Sequence, residues 1–283
     1  MTTLLGGVIG WPVSHSLSPH MHSYWLHENG IAGTYVALAV RQHELSRTLD
    51  TLRRDGFQGV NLTLPHKEAA YAVAYSADSA AHASKAANLV LFRSKGFEAH
   101  NTDTEGLARS LRDGLGDRAT RINLAVVLGS GGAARAAVLA CDCLGAKRIC
   151  VVNRTRARAD ALVRGLSGTV ATTLFTADWR TWETHAPQTN LLINATSAGL
   201  AETPSPAVSL ALFPPDAAVC DLVYNPLETA LLAKARAQGL TPVDGLGMLM
   251  HQGALAFELL FGVRPSVSAA LRAHLEKALR DGA

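Results

Sequence analysis

A chain of 283 residues, 48% of them hydrophobic, is long enough for two domains that each bury a core. The net charge of +3 forms no basic block, and no apolar run reaches the roughly twenty residues of a membrane helix, so neither nucleic acid nor a membrane is expected as a partner. The four cysteines, Cys141, Cys143, Cys150 and Cys220, lack metal-ligand spacing, and the apolar start does not read as a signal peptide, which favours a reduced, cytoplasmic protein without a metal.

Strand-like and helix-like segments alternate from the amino terminus onward. Strands are predicted near residues 4–9, 34–40, 57–62 and 87–92, and helices near residues 19–28, 42–53, 65–75 and 77–87. Ser18 followed by Pro19 is typical of a helix start with a hydroxyl cap, and Gly30 is typical of a helix stop. The alternation predicts an α/β fold whose parallel sheets are covered by helices.

A second α/β unit is predicted to begin with a helix after Asp103. Its strands are expected near residues 123–128, 148–152, 190–194, 218–222 and 241–243. Helical patterns near residues 248–261 and 267–279 have no strand after them and are expected to return to the first unit. The predicted domains are therefore 1–103 with 248–283, and 104–247, with a ligand cleft between them at the carboxyl ends of both sheets.

A glycine-rich turn follows the first strand of the second unit. The apolar strand runs directly into Gly129, Ser130, Gly131, Gly132 and Ala133, and a helical stretch comes next. This is the layout of a Rossmann-like dinucleotide-binding turn, in which a helix N-terminus faces a pyrophosphate.

The end of the following strand indicates which nicotinamide cofactor is bound. About twenty residues after the turn, NAD-binding chains place an acidic residue that accepts from the ribose 2′-hydroxyl. Here the place is taken by Asn153, Arg154 and Thr155, with Arg156 and Arg158 close behind. Guanidinium groups form paired, charge-assisted hydrogen bonds to a 2′-phosphate. The expected cofactor is NADP.

Polar side chains follow the predicted strand ends of the first unit. A nicotinamide enzyme needs a group that moves a proton at the reacting oxygen, and others that orient the substrate. The candidates are Ser16, Ser18, Asn61, Thr63, Lys67, Asn88 and Asp103. Lys67 lies in the first turn of a predicted helix, where the helix dipole disfavours a cation, and this placement favours a functional role.

A series of short motifs carries a family resemblance. They are GWPVSHSLSPHMH, NLTLPHK, NTD, GSGGAAR, NRT, NATSAG, DLVYNPLET and DGLGMLMHQGA. In this order and spacing the chain resembles the shikimate dehydrogenase family over essentially its whole length. The resemblance implies a substrate-binding α/β domain, a Rossmann-like dinucleotide-binding domain, and C-terminal helices packed back on the first domain. The implied reaction is reversible, NADPH-dependent reduction of 3-dehydroshikimate to shikimate, a step in aromatic amino acid biosynthesis.

The resemblance also implies roles for particular residues. Lys67 would be the general acid toward the ketone oxygen and the base in the reverse direction, and Asp103 would accept from a ring hydroxyl and hold the lysine. The residues implied to bind the carboxylate or ring hydroxyls are Ser16, Ser18, Thr63, Asn88, Tyr224 and Gln252. The residues implied to bind NADP are Gly129, Ser130, Gly131, Gly132 and Ala133 at the pyrophosphate; Asn153, Arg154, Thr155 and Arg158 at the adenosine; and Thr196, Leu222, Gly245 and Met248 at the nicotinamide.

The sequence departs from the family pattern in two stretches on the substrate side. KAANL, at residues 85–89, stands where the family usually reads GAVNT, and FEAHNTDT, at residues 97–104, lacks the usual glycines on either side of NTD. His100 is expected to be a solvent-facing strand residue. Because both departures affect the substrate side, the substrate stays open between shikimate and quinate or a related hydroxylated ring acid.

Two other classes of function agree less well with the sequence. A non-catalytic NADP or metabolite sensor of the same fold would need neither Lys67 nor Asp103, and both are present. An enzyme of the glutamyl-tRNA reductase type needs a nucleophilic cysteine near its start, whereas the first cysteine here is Cys141. The expected partner is a small-molecule substrate, and the expected assembly is a monomer or a homodimer.

Overall fold

The structure is a computed structural model that describes residues 3–200 and 203–282. The chain folds into two compact units, Met1–Thr102 with Met250–Ala283, and Asp103–Leu249. Within the described residues, no helix has both the length and the apolar character that crossing a bilayer requires.

The first unit is built on a mixed sheet. Its strands, among the described residues, are β1 (Leu4–Gly10), β2 (Gly33–Ala39), β3 (Gly59–Leu62), β4 (Ser76–Ala77), β5 (Leu89–Arg93) and β6 (Gly96–His100). They lie in the order β2-β1-β3-β5-β6-β4. β1 is parallel to β2 and β3, but β5 is antiparallel to both β3 and β6. The expectation of a parallel sheet is wrong at β5: the turn between β5 and β6 is too short for the crossover that parallel strands need, and β5 is also antiparallel to β3 although a longer segment joins those two strands.

Helices cover this sheet. They are α1 (Ser18–Glu28), α2 (Leu45–Arg54), α3 (Lys67–Val73) and α4 (Ser79–Ser84). In α2 the buried residues Leu45, Leu49 and Leu52 are spaced four and three apart, so they share one helical face. That face packs against buried strand residues such as Ile9 and Val60, which form the core of this unit.

The second unit is a parallel sheet with helices between its strands. Its elements, within the described residues, are α5 (Asp103–Leu115), β7 (Leu124–Leu128), α6 (Gly132–Cys143), β8 (Arg148–Val152), α7 (Arg156–Leu166), β9 (Thr173–Ala177), β10 (Leu191–Asn194), β11 (Ala218–Asp221), α8 (Ala230–Ala237) and β12 (Thr241–Val243). The order β12-β11-β10-β7-β8-β9, with every pairing parallel, is the Rossmann order. Its topological switch point lies between β7 and β10, where such sheets bind dinucleotides.

The last helices are α9 (Gly245–Phe261) and α10 (Ala269–Arg280). From Met250 onward they belong to the first unit, which confirms the predicted return. Trp25 of α1 donates its indole N–H to the Ser266 carbonyl over 2.9 Å, and its ring lies 5.6 Å from that of Phe257. A Cβ at Gly253 would fall 2.1 Å from the Met21 Cε, so glycine lets α9 approach α1 closely.

The KAANL departure has a backbone consequence at Lys85. This residue follows α4 in the left-handed conformation, with φ 53° and ψ 33°. A side chain there costs about 1–2 kcal/mol relative to right-handed backbone, which is why helix ends favour glycine. The Lys85 Nζ lies 5.6 Å from the Tyr71 ring centroid and 3.5 Å from its hydroxyl, and these contacts offset part of the strain.

Replacing Lys85 with glycine is expected to stabilise the protein. Relief of the left-handed strain exceeds the lost Tyr71 contact and the extra entropy of the unfolded chain, by about 0.5–1 kcal/mol. Lys85→Ala is the matched variant, because it loses the contact and keeps the strain, and it should be less stable than the starting protein. Urea unfolding of the three proteins measures the order, and a glycine variant less stable than the lysine protein would contradict the argument.

Candidate functional site

Several side chains predicted to bind the substrate lie at one edge of the first sheet. β1 and β3 are parallel neighbours that end there, with Ile9 opposite Leu62, and the Thr63 N–H donates to the Ile9 carbonyl over 2.9 Å. β5 runs the other way, so it begins at the same edge. The fold therefore gathers Ser16 and Ser18 after β1, Thr63 and Lys67 after β3, and Asn88 before β5.

The side-chain hydrogen bond at the start of α1 is made by Ser16, whereas the sequence predicted that Ser18 would cap the helix. Ser18 is the first residue of α1 and is buried, and Leu17 rather than Ser18 occupies the cap position. The Ser16 hydroxyl accepts from the Ser18 N–H over 3.3 Å, so the side chain that serves the first turn is Ser16. The predicted capping by Ser18 is wrong because the helix begins one residue earlier. The turn holds both hydroxyls at the N-terminus of α1, which is a favourable place for a carboxylate.

Lys67 is fixed at the start of α3. Its carbonyl accepts from the Ala87 N–H over 2.8 Å, which ties the helix start to the residue before Asn88. The preceding His66 is buried and donates from Nε2 to the Val40 carbonyl over 2.8 Å. Burial lowers the pKa of His66, and this hydrogen bond only partly opposes the shift. A neutral, bonded imidazole therefore anchors the backbone that carries the half-buried lysine.

Asn88 and Gln252 meet in a buried amide cluster. The Asn88 Nδ2 donates to the Thr102 hydroxyl over 2.8 Å and to the Gln252 Oε1 over 3.1 Å, while its Oδ1 accepts from the Thr102 N–H over 2.8 Å. Asn88, Thr102 and Gln252 are 2%, 5% and 9% exposed. The cluster fixes which atoms of the Asn88 amide are donor and acceptor. It also fixes Thr102, whose chain neighbour Asp103 begins the second unit.

A buried layer lies behind this edge, of which the sequence reasoning named Asn61 as a candidate but missed Tyr35 and His22. Asn61 donates to the Asn88 carbonyl over 3.1 Å and accepts from the Tyr35 hydroxyl over 2.8 Å. The Tyr35 ring stacks on that of His22 at 3.9 Å, and the His22 Nδ1 donates to the Ser18 carbonyl over 2.9 Å. Burial lowers the pKa of His22 to about 4, so the imidazole is neutral. His22 belongs to the SPHMH motif, but only the fold shows that it backs Ser18.

His100 is not the solvent-facing residue that was expected. Its side chain is 13% exposed and its Nδ1 lies 3.1 Å from the Asp78 Oδ2. Burial acts to raise the pKa of Asp78, but hydrogen bonds from His100, Ala81 and Asn101 outweigh it and lower that pKa. The alternating pattern of β6 could not reveal this partner, because Asp78 lies on a separate segment that packs beside the strand.

The glycine turn of the second unit has the shape of a dinucleotide cradle. Gly129 has φ 120°, and a Cβ on it would lie 2.9 Å from the Ala195 carbonyl oxygen, across the switch point between β7 and β10. Gly131 occupies the N-cap position of α6, and a Cβ there would meet no atom of residues 3–200 or 203–282 within 4 Å. The first glycine is required by the fold, whereas the space over Gly131 suits a ligand that approaches the backbone. Ser130, Gly132 and Ala133 complete the turn and are partly exposed.

The basic end of β8 fits a 2′-phosphate. Arg154 and Arg158 are exposed, and within residues 3–200 and 203–282 no carboxylate comes within ion-pair distance of either. Arg156 differs, because its Nε pairs with the Asp160 Oδ1 over 3.2 Å. The Asn153 Nδ2 donates to the Thr155 carbonyl over 3.0 Å and so closes the turn that presents Arg154.

The residues predicted at the nicotinamide are also in the second unit. Thr196 follows β10, Leu222 follows β11, and Gly245 and Met248 begin α9. A Cβ on Gly245 would lie 2.4 Å from the Leu222 carbonyl oxygen, so glycine permits this contact. Tyr224 is half-buried in the loop after β11, and Asp103 is 5% exposed as the first residue of α5.

Comparison with known proteins agrees with these features. Residues 8–90 match the model of the shikimate dehydrogenase substrate-binding domain, and residues 245–273 match that of the shikimate 5′-dehydrogenase C-terminal domain. The chain is 45% identical to a shikimate dehydrogenase (NADP(+)) from Nitrobacter hamburgensis over 273 residues, which covers 96% of this chain and 94% of the relative. This chain belongs to the shikimate dehydrogenase family.

Solved structures of family members resemble this one closely. Shikimate 5-dehydrogenase from Thermus thermophilus, in complex with NADP(H) and shikimate, superposes with a TM-score of 0.83 at 38% identity and 99% coverage of both chains. Quinate dehydrogenase from Corynebacterium glutamicum, in complex with NAD, gives a TM-score of 0.88 at 29% identity, covering 98% of this chain and 99% of that one. The fold alone therefore does not distinguish shikimate from quinate.

Proposed function

We propose that this protein catalyses the reversible, NADPH-dependent reduction of 3-dehydroshikimate to shikimate. The observation that carries the proposal is the topology of the first sheet, which places Lys67, the hydroxyl residues Ser16, Ser18 and Thr63, and the hydrogen-bonded Asn88 amide at the same edge. Membership of the shikimate dehydrogenase family, with relatives named as NADP(+) enzymes, supports both the substrate and the cofactor.

We propose that neutral donors recognise the substrate. Ser16, Ser18 and Tyr224 donate to the carboxylate, with the N-terminus of α1 adding a favourable dipole. Thr63, Asn88 and Gln252 address the carboxylate or the ring hydroxyls. Because the Asn88 amide is held by Thr102 and Gln252, it presents one fixed pattern of donors and acceptors. Recognition of this kind favours orientation over simple charge attraction.

We propose that Lys67 and Asp103 carry the proton chemistry. In reduction, the Lys67 ammonium donates a proton to the ketone oxygen, and in the reverse direction its amine removes a proton from the hydroxyl. Asp103 accepts from a ring hydroxyl and positions the lysine. NADPH, when bound, supplies the hydride to the carbonyl carbon.

We propose that the cofactor is held by the second unit. Backbone N–H groups at the N-terminus of α6 receive the pyrophosphate over Gly131, where there is room for it. Arg154 and Arg158, assisted by Asn153 and Thr155, bind the 2′-phosphate. Thr196, Leu222, Gly245 and Met248 line the nicotinamide.

The proposed division of labour follows the sequence-based boundaries. Residues 1–103 with 248–283 form the substrate-binding and catalytic domain, and residues 104–247 form the NADP-binding domain.

A cytoplasmic location is also proposed, since all four cysteines are free thiols. Burial raises the pKa of Cys141 and Cys150 to about 12. The proposed assembly is a monomer or a homodimer.

The proposal is tested by initial rates at about 340 nm, where reduced nicotinamide absorbs. Shikimate and quinate are each offered with NADP and with NAD. The expected result is a kcat/KM for shikimate with NADP that exceeds each other combination. If the protein prefers quinate, the sequence departures at residues 85–89 and 97–104 reflect a changed substrate. If NADP binds but neither acid is oxidised, the result favours the non-catalytic sensor.

A further inference from the structure

A buried carboxylate lies behind the turns that were assigned to the nicotinamide. Asp221, the last residue of β11, is 0% exposed, and so is Asn194, the last residue of the neighbouring β10. The Asn194 Nδ2 donates to the Asp221 Oδ1 over 2.8 Å. Neither residue has a role in the proposed reaction, and buried polar pairs of this kind call for an explanation.

Asn194 organises the turn that carries Thr196. Its Oδ1 accepts from both the Thr196 N–H, over 3.2 Å, and the Thr196 hydroxyl, over 2.7 Å. Its Nδ2 also donates to the Ala198 carbonyl over 3.0 Å, and its own carbonyl accepts from the Leu222 N–H over 3.0 Å. One side chain and its backbone therefore fix two of the proposed nicotinamide residues, Thr196 and Leu222.

Asp221 organises the second turn in the same way. Its Oδ1 accepts from the Val223 N–H over 3.2 Å, and its Oδ2 accepts from the Thr229 hydroxyl over 2.7 Å. Burial raises the pKa of this carboxyl, and the three donors act against that shift. Thr229 in turn caps α8, so the carboxylate ties the Leu222 turn to the start of a helix. Because every partner of Asp221 named here donates, the ionised form matches its surroundings.

We infer that Asn194 and Asp221 are positioning residues, which hold the Thr196 and Leu222 turns in the geometry that orients the nicotinamide ring. The inference rests on the proposed NADP site of the second unit. Gly245, the third residue at this place, packs on the Leu222 carbonyl, so movement of the Leu222 turn reaches it too. The adenosine end of the cofactor is bound elsewhere, at the end of β8, and does not depend on these turns.

The test compares binding of the whole cofactor with binding of its adenosine half. In Asp221→Asn the carboxylate loses one acceptor oxygen, so one of its donors is left unmatched in a buried place. Calorimetry should show NADP affinity falling about tenfold while the affinity for 2′,5′-ADP changes less than about twofold. In steady-state assays, kcat should fall by a larger factor than the factor by which the KM for shikimate changes. A wild-type protein that failed to bind NADP would overturn the proposed function instead.

Two further variants separate positioning from general destabilisation. Thr189, a residue that is also 0% exposed, lies just before β10, at the opposite edge of the sheet, and Thr189→Val removes the hydroxyl that donates to the His185 carbonyl. It should lower thermal stability without changing either affinity. Thr229→Val removes one donor to Asp221 and should lower NADP affinity by less than Asp221→Asn does. If Asp221→Asn does not fold, this variant tests the inference in its place. Equal losses for NADP and 2′,5′-ADP, or no loss in folded variants, would overturn the inference.

Discussion

Replacing Lys67 with alanine is expected to lower kcat by about 10²- to 10⁴-fold, the usual contribution of a general acid or base. The amine is removed, but the start of α3 keeps its backbone contacts with Ala87 and its anchor at His66, so the sheet edge should stay intact. Steady-state rates with shikimate and NADP measure the effect. NADP affinity, measured by calorimetry, should be nearly unchanged, because the residues proposed to bind the cofactor are in the second unit.

Lys95→Ala is the matched control for this loss. Lys95 is an exposed lysine of the same unit, in the turn between β5 and β6, so the substitution removes an equal charge from a place without a proposed role. It should leave kcat within about twofold of the starting value, as surface substitutions usually do. Full activity in Lys67→Ala would remove the assigned proton-transfer role and leave the lysine as a surface residue.

The Rossmann unit could be predicted well because its signals are local. The strand at residues 148–152 has the same bounds in the sequence-based prediction and in the structure. A fully buried parallel strand reads as a continuous apolar run, as in β7, and among the glycines of the turn Gly129 has a φ of 120°, which other residues rarely adopt. The sequence therefore predicts the glycine turn and five of the six strands described in this unit, but not β9 (Thr173–Ala177).

The far side of the first sheet could not be predicted in the same way. Whether β5 runs parallel or antiparallel to β3 depends on how the chain returns, and β6 was not recognised as a separate strand. His100 shows the same limit for a single side chain, since its partner Asp78 comes from another segment. At Lys85 the sequence indicated only that a lysine stands where the family usually has glycine, and the compensating contact with Tyr71 depends on packing between α3 and the end of α4.

The residues of the candidate site also differ in whether they could be identified from the sequence. Motifs supplied Lys67, Asn88 and Gln252, and the structure brings the two amides into direct contact. Asn61 behind them was a candidate from sequence, but its partners Tyr35 and His22 escaped notice because each, taken alone, is an ordinary aromatic side chain. Buried hydrogen-bond networks are properties of tertiary packing, so sequence can propose the residues that touch a substrate more readily than those that hold them.

Replacing Arg154 with alanine is expected to lower kcat/KM for NADP by about 10- to 100-fold and to leave that for NAD within about twofold. Hydrogen bonds to charged groups contribute about 1.5–3 kcal/mol, and only NADP carries the 2′-phosphate that receives them. Arg154 suits this role because, in the described residues, it has no carboxylate partner, unlike Arg156. Steady-state rates with each cofactor at saturating shikimate measure the difference.

Arg164→Ala is the control that separates a specific contact from the loss of positive charge. Arg164 is exposed near the end of α7, the helix that begins at Arg156, so both variants lose one charge from the same region. Screening makes a distant surface charge weak at physiological ionic strength, so Arg164→Ala should change neither cofactor by more than about twofold. If Arg154→Ala weakened NADP and NAD equally, the arginine would contact a part common to both cofactors, and the preference for NADP would need another origin, with Arg158 as the next candidate.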